Sequence, residues 1–206
     1  MGLLMGQTTT EGPRVAGLLL AAGGGRRLGG RPKALLEHRG RPLVEHAVGV
    51  LRAGGCQVVH VVLGAAAGSV RERASLPGCV LVDNPGWEEG MGSSLRAGLA
   101  SLNGTGADAA VVSLVDQPGI GAEAVGRVVA AYRSRSSLVA AAYAGKRGHP
   151  VLLGADRWAD VAARAEGDRG ARAYLKEHEA SIVLVECGDV AEPYDIDTAE
   201  DLAHLE

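Results

Sequence analysis

Short apolar runs, each ended by glycine, asparagine, aspartate or a similar turn-forming residue, alternate along this chain with segments of helical periodicity. The runs have the length of buried strands and lie at 15–21, 58–63, 79–82, 109–115, 138–143 and 182–186. The helical segments lie at 43–53, 91–102, 122–133 and 199–205, and near Arg157 and Arg172. Apolar strands that alternate with amphipathic helices indicate a mostly parallel sheet that is covered on both faces.

No repeat, low-complexity tract or linker divides the 206 residues. The sequence therefore predicts an α/β fold, a single three-layer Rossmann-like domain with a mostly parallel sheet flanked by helices, spanning 13–206. Residues 1–12 are polar and lack the basic-then-apolar order of a signal peptide. We interpret them as a disordered N-terminal tail and expect a cytoplasmic protein. No apolar stretch approaches the length of a membrane span, so no membrane partner is expected.

Charge and cysteine content exclude several classes of protein. The formal net charge of -3 argues against a nucleic-acid-binding protein, which would carry a basic surface. The three cysteines are far apart and form no C-x-x-C pair, so neither a zinc site nor a disulfide framework is indicated.

The predicted topology indicates where a ligand would bind. In open α/β sheets, ligands lie outside the carboxyl ends of the strands. That rule selects the segments at 23–33, 83–87 and 116–118, which follow the first, third and fourth predicted strands.

The first of these segments is rich in glycine and arginine, and reads Ala21-Ala-Gly-Gly-Gly-Arg-Arg-Leu-Gly-Gly-Arg-Pro-Lys33. A dinucleotide-binding loop would need its third glycine at Leu28 and an acid after the second strand, where Leu63 and Gly64 stand instead. A Walker loop would need Gly-Lys-Ser/Thr, which does not follow. The remaining interpretations are a solvated basic surface loop and a loop that wraps a triphosphate, with Arg27 and Lys33 as the charge carriers.

Asp116 comes directly after the apolar run at 109–115 and faces the predicted cleft. Mg²⁺ is usually held by one or two carboxylates together with substrate phosphates, so one well-placed aspartate suffices. The structural alternative is that Asp116, two residues before Pro118, only caps a turn.

Four further strings stand out. Asn84-Pro-Gly-Trp-Glu-Glu-Gly-Met-Gly-Ser-Ser-Leu95 opens a predicted helix, where Ser93 and Ser94 could contact a phosphate or serve only as caps. The others are Gly148-His-Pro-Val151, Gly167-Asp-Arg-Gly-Ala-Arg172 and Asp195-Ile-Asp-Thr-Ala-Glu-Asp-Leu202. In the last, Thr198 and Asp201 have the spacing of a capping box.

Together with the glycine-rich loop and Asp116-Gln-Pro118, these strings resemble, in the right order from about Ala16 to Leu202, the molybdenum cofactor cytidylyltransferase family. This family has a MobA-like NTP transferase domain, within the wider sugar-nucleotide pyrophosphorylase-like fold. Two positions depart from its usual pattern, Gly25 in place of Ser and Leu28 in place of Met. Neither change removes a charge.

The resemblance implies a site. It implies that Arg27, Lys33 and Asp116 are catalytic, and that Mg²⁺ is bound by Asp116 with Asp195 as the second ligand and Asp197 as the alternative to Asp195. The nucleotide-binding residues that it implies are Leu20, Ala21, Ala22, Gly23, Gly24, Gly25, Arg27, Lys33, Asn84, Ser93, Ser94 and Asp116. The acceptor-binding residues that it implies are His149, Arg169 and Arg172.

The resemblance also implies a reaction, in which the phosphate of molybdopterin attacks the α-phosphorus of a nucleoside triphosphate and pyrophosphate leaves. Ala21-Ala-Gly23 and Asp116-Gln-Pro118 favour CTP, whereas Leu28-Gly-Gly30 has features of the guanylyl branch, which uses GTP. A transient contact with a molybdenum enzyme or its chaperone is a further expected partnership. The alternatives are a nucleotidyltransferase acting on a sugar phosphate or other phosphorylated small molecule, a non-catalytic nucleotide-binding or cofactor-delivery partner, and, more remotely, a nicotinamide-dependent dehydrogenase.

Overall fold

The computed structural model describes residues 12–205. Apart from Gly12, the tail expected at residues 1–12 lies outside the described residues. The strands are β1 (Val15–Ala21), β2 (Glu37–His38), β3 (Arg41–Pro42), β4 (Val58–Leu63), β5 (Cys79–Asp83), β6 (Ala109–Leu114), β7 (Leu138–Tyr143), β8 (Lys146–Gly154) and β9 (Ile182–Glu186). The α-helices are α1 (Leu43–Ala53), α2 (Ala67–Arg73), α3 (Met91–Ser101), α4 (Ala122–Ala130), α5 (Trp158–Arg164) and α6 (Arg172–Glu177).

Seven strands form one sheet in the order β5-β4-β1-β6-β8-β7-β9, and β2 and β3 form a separate two-stranded hairpin. All neighbouring pairs in the large sheet are parallel except those of β8, which runs antiparallel to both β6 and β7. Because β1 lies between β4 and β6, the carboxyl ends of these three strands meet at one edge of the sheet. This confirms the predicted α/β class with a mostly parallel sheet.

The hydrophobic core is divided by the sheet into two layers. On one face, α1, α2 and α4 pack through residues such as Leu43, Val70 and Val125. On the other face, α3, α5 and α6 pack through Leu99, Val161 and the fully buried Tyr174. The three predicted layers are therefore present. None of the helices within residues 12–205 has both the length and the apolar character needed to cross a bilayer.

Strand β8 and the closing helix differ from the sequence-based expectation, and α2, β2 and β3 were not predicted. Strand β8 is absent from the predicted strands because Gly148, His149 and Pro150 interrupt the apolar alternation from which a strand is recognised. The expected closing α-helix is a 3₁₀ helix, Glu200–Leu205. Its start is held by Asp201, whose Oδ2 accepts hydrogen bonds from the backbone N–H and the hydroxyl of Thr198.

Candidate functional site

The glycine-rich loop after β1 folds into a tight turn. Gly25 has a φ of 61°, and a Cβ at that position would lie 1.9 Å from the carbonyl oxygen of Arg31. A serine there would therefore be strained and would clash, which gives a physical reason for the glycine. Leu28, only 3% exposed, anchors the short 3₁₀ segment Arg26–Leu28 in the core. The neighbouring Arg26 and Arg27 are left exposed at the surface.

A first cavity of about 470 Å³ opens beside this loop, at the carboxyl ends of β1 and β6. Eight of the twelve predicted nucleotide-binding residues line it: Leu20, Ala22, Gly23, Gly24, Arg27, Lys33, Ser94 and Asp116. The other four predicted residues do not line it: Ala21, Gly25, Asn84 and Ser93. The remaining lining residues are Arg26, Trp87, Glu88, Gly90, Met91, Leu114, Val115, Asp168, Asp195 and Asp197.

Lys33 is the centre of the charged end of the first cavity. Its Nζ lies 2.6 Å from Oδ2 of Asp116 and 2.5 Å from Oδ1 of Asp197. The guanidinium of Arg27 is 3.6 Å from the other oxygen of Asp197. Burial by itself lowers the pKa of Lys33, but the two carboxylates outweigh it and raise that pKa, so the ammonium stays charged. Burial raises the pKa of Asp116, and the Lys33 ammonium opposes this rise.

The oxygen donors of the first cavity suit a hard divalent cation. The cavity is lined by five carboxylates and only three cationic side chains. Carboxylates alone would repel a triphosphate, and a divalent cation that is shared between carboxylates and phosphates removes this conflict. Within residues 12–205, no cluster of three or more histidine, cysteine or acidic side chains is arranged to hold a metal by itself. A cation bound here could complete its coordination with phosphate oxygens and water.

Asp195 and Asp197 occupy different environments. Asp197 shares the Lys33 ammonium with Asp116. Asp195 instead accepts a hydrogen bond from Nε2 of Gln117 at 2.8 Å, which fixes it at the boundary between the first cavity and a second one. The sequence left the choice between the two aspartates open, and the geometry places Asp197 closer to the Lys33–Asp116 pair.

Asn84, Ser93 and Ser94 form a buried hydrogen-bond network. The Asn84 Nδ2 donates to the hydroxyls of Ser93 at 2.8 Å and Ser94 at 3.0 Å. The amide oxygen of Asn84 accepts from the backbone N–H of Gly86. All three side chains are about 5% exposed or less, and only Ser94 lines the first cavity. Asn84 and Ser93 therefore position the segment between them.

The second cavity, of about 290 Å³, adjoins the first. The three predicted acceptor-binding residues, His149, Arg169 and Arg172, all line it. Apolar side chains that include Leu20, Leu95, Val112, Val151, Leu153 and Leu175 also line it. Leu20, Met91, Leu114 and Asp195 line both cavities, so a ligand in one would lie next to a ligand in the other.

His149 is a neutral imidazole at pH 7. Burial lowers its pKa to about 4, Asp195 opposes that shift, and Arg172 and Arg147 add to it. Its backbone carbonyl accepts a hydrogen bond from the hydroxyl of Tyr143 at 2.7 Å, which ties β8 to β7. A group with this pKa is a weak base, and its neutral ring can donate one hydrogen bond and accept another.

Several lining residues were not identified from the sequence. Trp87, Glu88, Gly90 and Met91 line the first cavity, and all four lie in the string that begins at Asn84, whose specificity could have indicated them. Arg147 lines the second cavity. It precedes His149 by two residues, and alternation along β8 would have placed both on one face of the strand.

Comparison with known proteins gives a family and several relatives. Residues 17–182 match the family model described as the MobA-like NTP transferase domain. The chain is 41% identical over 203 residues to the nicotine blue oxidoreductase of Paenarthrobacter nicotinovorans, covering 95% of this chain and 98% of the relative. It is 33% identical over 203 residues to the molybdenum cofactor guanylyltransferase of Rhodobacter capsulatus, covering 94% and 95%.

Solved structures share the fold. The homologue of Mycobacterium tuberculosis Rv0371c from Mycobacterium sp. strain JC1 superposes with a TM-score of 0.78 at 32% identity, covering 93% of this chain and 96% of that one. Rv0371c of M. tuberculosis H37Rv, solved in complex with manganese, superposes with a TM-score of 0.73 at 27% identity, covering 95% and 98%.

Proposed function

The chain belongs to the MobA-like NTP transferase family, and from that premise we propose that it transfers a nucleoside monophosphate from a nucleoside triphosphate to a phosphorylated small molecule. The observation that carries the proposal is the pair of adjacent cavities. The first combines the glycine-rich loop with Arg27, Lys33 and Asp116, and the second presents three arginines over an apolar floor. The triphosphate binds in the first cavity and the acceptor in the second.

The reaction needs no general base from the protein. A phosphate monoester has a second pKa of about 6, so at neutral pH its oxygen is already an anionic nucleophile. That oxygen attacks the α-phosphorus, a new P–O bond forms, and the bond to the bridging oxygen of the β-phosphate breaks. Its electrons leave with pyrophosphate. The contributions of the protein are positioning and the stabilisation of charge by Arg27 and Lys33.

The metal that we propose is Mg²⁺, held by Asp116 and Asp197 together with phosphate oxygens. When bound, it would neutralise charge on the triphosphate. The manganese complex of Rv0371c supports a divalent cation in a protein of this fold. The sharing of one ammonium between Asp116 and Asp197 supports the choice of Asp197 over Asp195. Lys33 would then leave the carboxylates for the phosphates as the metal binds.

The acceptor that we propose is molybdopterin. The relatives named molybdenum cofactor guanylyltransferase support this acceptor. They also favour GTP as the donor, in contrast to the CTP that Ala21-Ala-Gly23 predicts. Because the guanylyltransferase of R. capsulatus matches 94% of this chain, we place GTP first and keep CTP as the alternative.

One comparison favours a second candidate function. The relative from P. nicotinovorans is named an oxidoreductase and has higher identity to this chain than the guanylyltransferases do. A reductase would use the first cavity for a reduced nucleotide cofactor and the second, apolar one for a flat aromatic substrate. One observation argues against this function. A dinucleotide-binding fold binds the ribose through an acidic residue at the end of its second strand, and here β4 ends at Leu63 and is followed by Gly64.

Thermal unfolding with single ligands separates these functions. We expect GTP or CTP to raise the midpoint only when Mg²⁺ is present, with a stabilisation of about 2.7 kcal/mol at a hundred times the dissociation constant. NADH and NADPH serve as the competing ligands, and ATP and UTP as base controls. Stabilisation by NADH or NADPH alone would favour the reductase. Triphosphate binding without pyrophosphate release in the presence of acceptor would indicate a non-catalytic nucleotide-binding partner.

A further inference from the structure

Trp87 lines the first cavity, as do the charged residues Lys33, Asp116 and Asp197. It begins the 3₁₀ segment Trp87–Glu89, which follows β5. Among the described residues that line this cavity, it is the only aromatic one. The chain contains no phenylalanine and only two tryptophans, and the other, Trp158, is buried in the core with its indole N–H bonded to the carbonyl of Leu153.

Two glycines make room for the indole. A Cβ at Gly24 would lie 3.3 Å from the ring atom Cζ3 of Trp87, and a Cβ at Gly64 would lie 2.6 Å from the Cβ of Trp87. Gly24 belongs to the loop after β1, and Gly64 directly follows β4. The ring therefore packs against the loop after β1, the Cβ of Trp87 packs against the residue after β4, and the partly buried side chain lines the first cavity.

The backbone that carries Trp87 is fixed on both sides. Asn84 is bonded to the hydroxyls of Ser93 and Ser94, as described above, and the Ser93 hydroxyl lies 2.9 Å from the carbonyl oxygen of Gly86 and 2.8 Å from that of Gly90. These bonds close the segment 84–93 into a compact loop with Trp87 near its middle. The buried network therefore determines where the indole is presented.

We infer that Trp87 is the surface on which the nucleobase stacks, so that it binds the base of the nucleotide whose phosphates reach Lys33. The inference rests on the proposed binding of a triphosphate in the first cavity. An aromatic side chain stacks on any base through its π-face, so it contributes affinity with little dependence on base identity. Discrimination between GTP and CTP must then come from polar groups beside the ring, such as the backbone of the loop and the Ser94 hydroxyl.

Replacement of Trp87 by leucine tests the inference. We expect the dissociation constants of GTP and CTP to rise about 5- to 150-fold in Trp87→Leu. In Trp87→Phe, which keeps an aromatic face, we expect most of the affinity to be retained. The binding of inorganic tripolyphosphate, which has no base, should be the same in the wild type and in Trp87→Leu. Calorimetric titration in the presence of Mg²⁺ measures all three ligands.

Intrinsic fluorescence provides an independent readout. Saturating nucleotide should quench the emission of the wild type, and the quench should be absent in Trp87→Phe, which retains only Trp158. Unchanged nucleotide affinity in Trp87→Leu, or an equal loss for nucleotide and tripolyphosphate, would overturn the inference, because the second result would mean that Trp87 only shapes the loop. Failure of the wild-type protein to bind any triphosphate would instead overturn the proposed function, and the inference with it.

Discussion

The two cavities are neighbours that share four lining residues, yet they differ in how they balance charge. The first has five carboxylates against three cationic side chains, and four of these eight groups are engaged in the ion pairs that Lys33 and Arg27 form with Asp116 and Asp197. The second has three arginines against the single carboxylate of Asp195, beside a neutral His149. The excess of carboxylates in the first cavity opposes a polyphosphate unless a cation is also bound, whereas the excess of arginines in the second favours an anion.

Under the proposed function, this difference would make the first cavity a metal-assisted donor site and the second a metal-independent acceptor site. Variants that affect one cavity should leave the other unchanged. The most demanding test of this division lies at Asp116, where the account predicts the largest effect.

Asp116→Asn should lower turnover by about 100- to 1000-fold, the loss expected when one pre-positioned charged group is removed from the reacting phosphates. The acceptor should still bind with its wild-type affinity, because Asp116 does not line the second cavity. Steady-state kinetics and acceptor binding measure the two effects. Asp189→Asn is the matched control, since Asp189 pairs with Arg127 at the exposed surface. Wild-type turnover in Asp116→Asn would contradict the proposal that Asp116 binds the metal.

His149, which lines the second cavity, makes the folding stability of the protein depend on pH. Its pKa is about 4 in the folded protein against an ordinary 6.5, so the folded state holds fewer protons between these values. The associated stability is full above pH 6.5 and is lost as the pH falls toward 4, by up to about 3 kcal/mol. Urea unfolding of the wild type and His149→Gln at pH 7, 5.5 and 4.5 measures this loss as their difference. Parallel pH profiles of the two proteins would contradict the neutral imidazole.

Arg27 and Arg172 form a matched pair of variants for the division between cavities. Arg27→Ala should weaken triphosphate binding about tenfold or more, because a hydrogen bond to a charged group contributes about 1.5–3 kcal/mol. Arg172→Ala should raise the KM of the acceptor by a similar factor. Each variant is the control for the other when both substrates are titrated. If each variant affected both substrates equally, the two cavities would not be separate binding sites.

Lys33 should compete with the metal when no nucleotide is bound. In Lys33→Met, the carboxylates of Asp116 and Asp197 lose their ammonium partner, and we expect Mn²⁺ to bind at least about fivefold more tightly, since unit charges 4 Å apart interact by about 1 kcal/mol even in water. Electron paramagnetic resonance of free Mn²⁺ measures this without any reaction. Lys146→Met, at the exposed start of β8, is the control. An unchanged Mn²⁺ affinity in Lys33→Met would place the metal elsewhere.

The sequence predicted the strands and helices around the first cavity better than the strand β8 of the second, for a physical reason. Most of the first cavity follows directly from strand ends, and the bounds of β4, β7 and α1 agree with the sequence pattern because each is a clean apolar period ended by a turn residue. The antiparallel strand β8, which carries Arg147 and His149, has polar residues and a glycine where the apolar alternation should be. Its place in the sheet depends on pairing with β6 and β7, and this pairing cannot be predicted from the local sequence.

The contacts of Asn84, Ser93, Asp195 and Asp197 could not be predicted from the motifs either, because they depend on how separate segments meet in the fold. Asn84 and Ser93 were expected to contact the nucleotide, and the structure buries both in a network that holds Trp87. Similarly, the spacing of Asp195 and Asp197 could not reveal which of them shares Lys33 with Asp116. That sharing depends on a contact across 164 residues.

The most direct test of the central claim is the transfer of label from a triphosphate radiolabelled at its α-phosphorus. The protein is incubated with Mg²⁺, molybdopterin and labelled GTP or, separately, labelled CTP, and the products are separated. We predict that the label appears on the acceptor in equal amount to the pyrophosphate released, and that it does not appear with Asp116→Asn. No label on the acceptor with either nucleotide would contradict nucleotidyl transfer, and oxidation of NADH or NADPH by an aromatic substrate in a parallel assay would then favour the reductase.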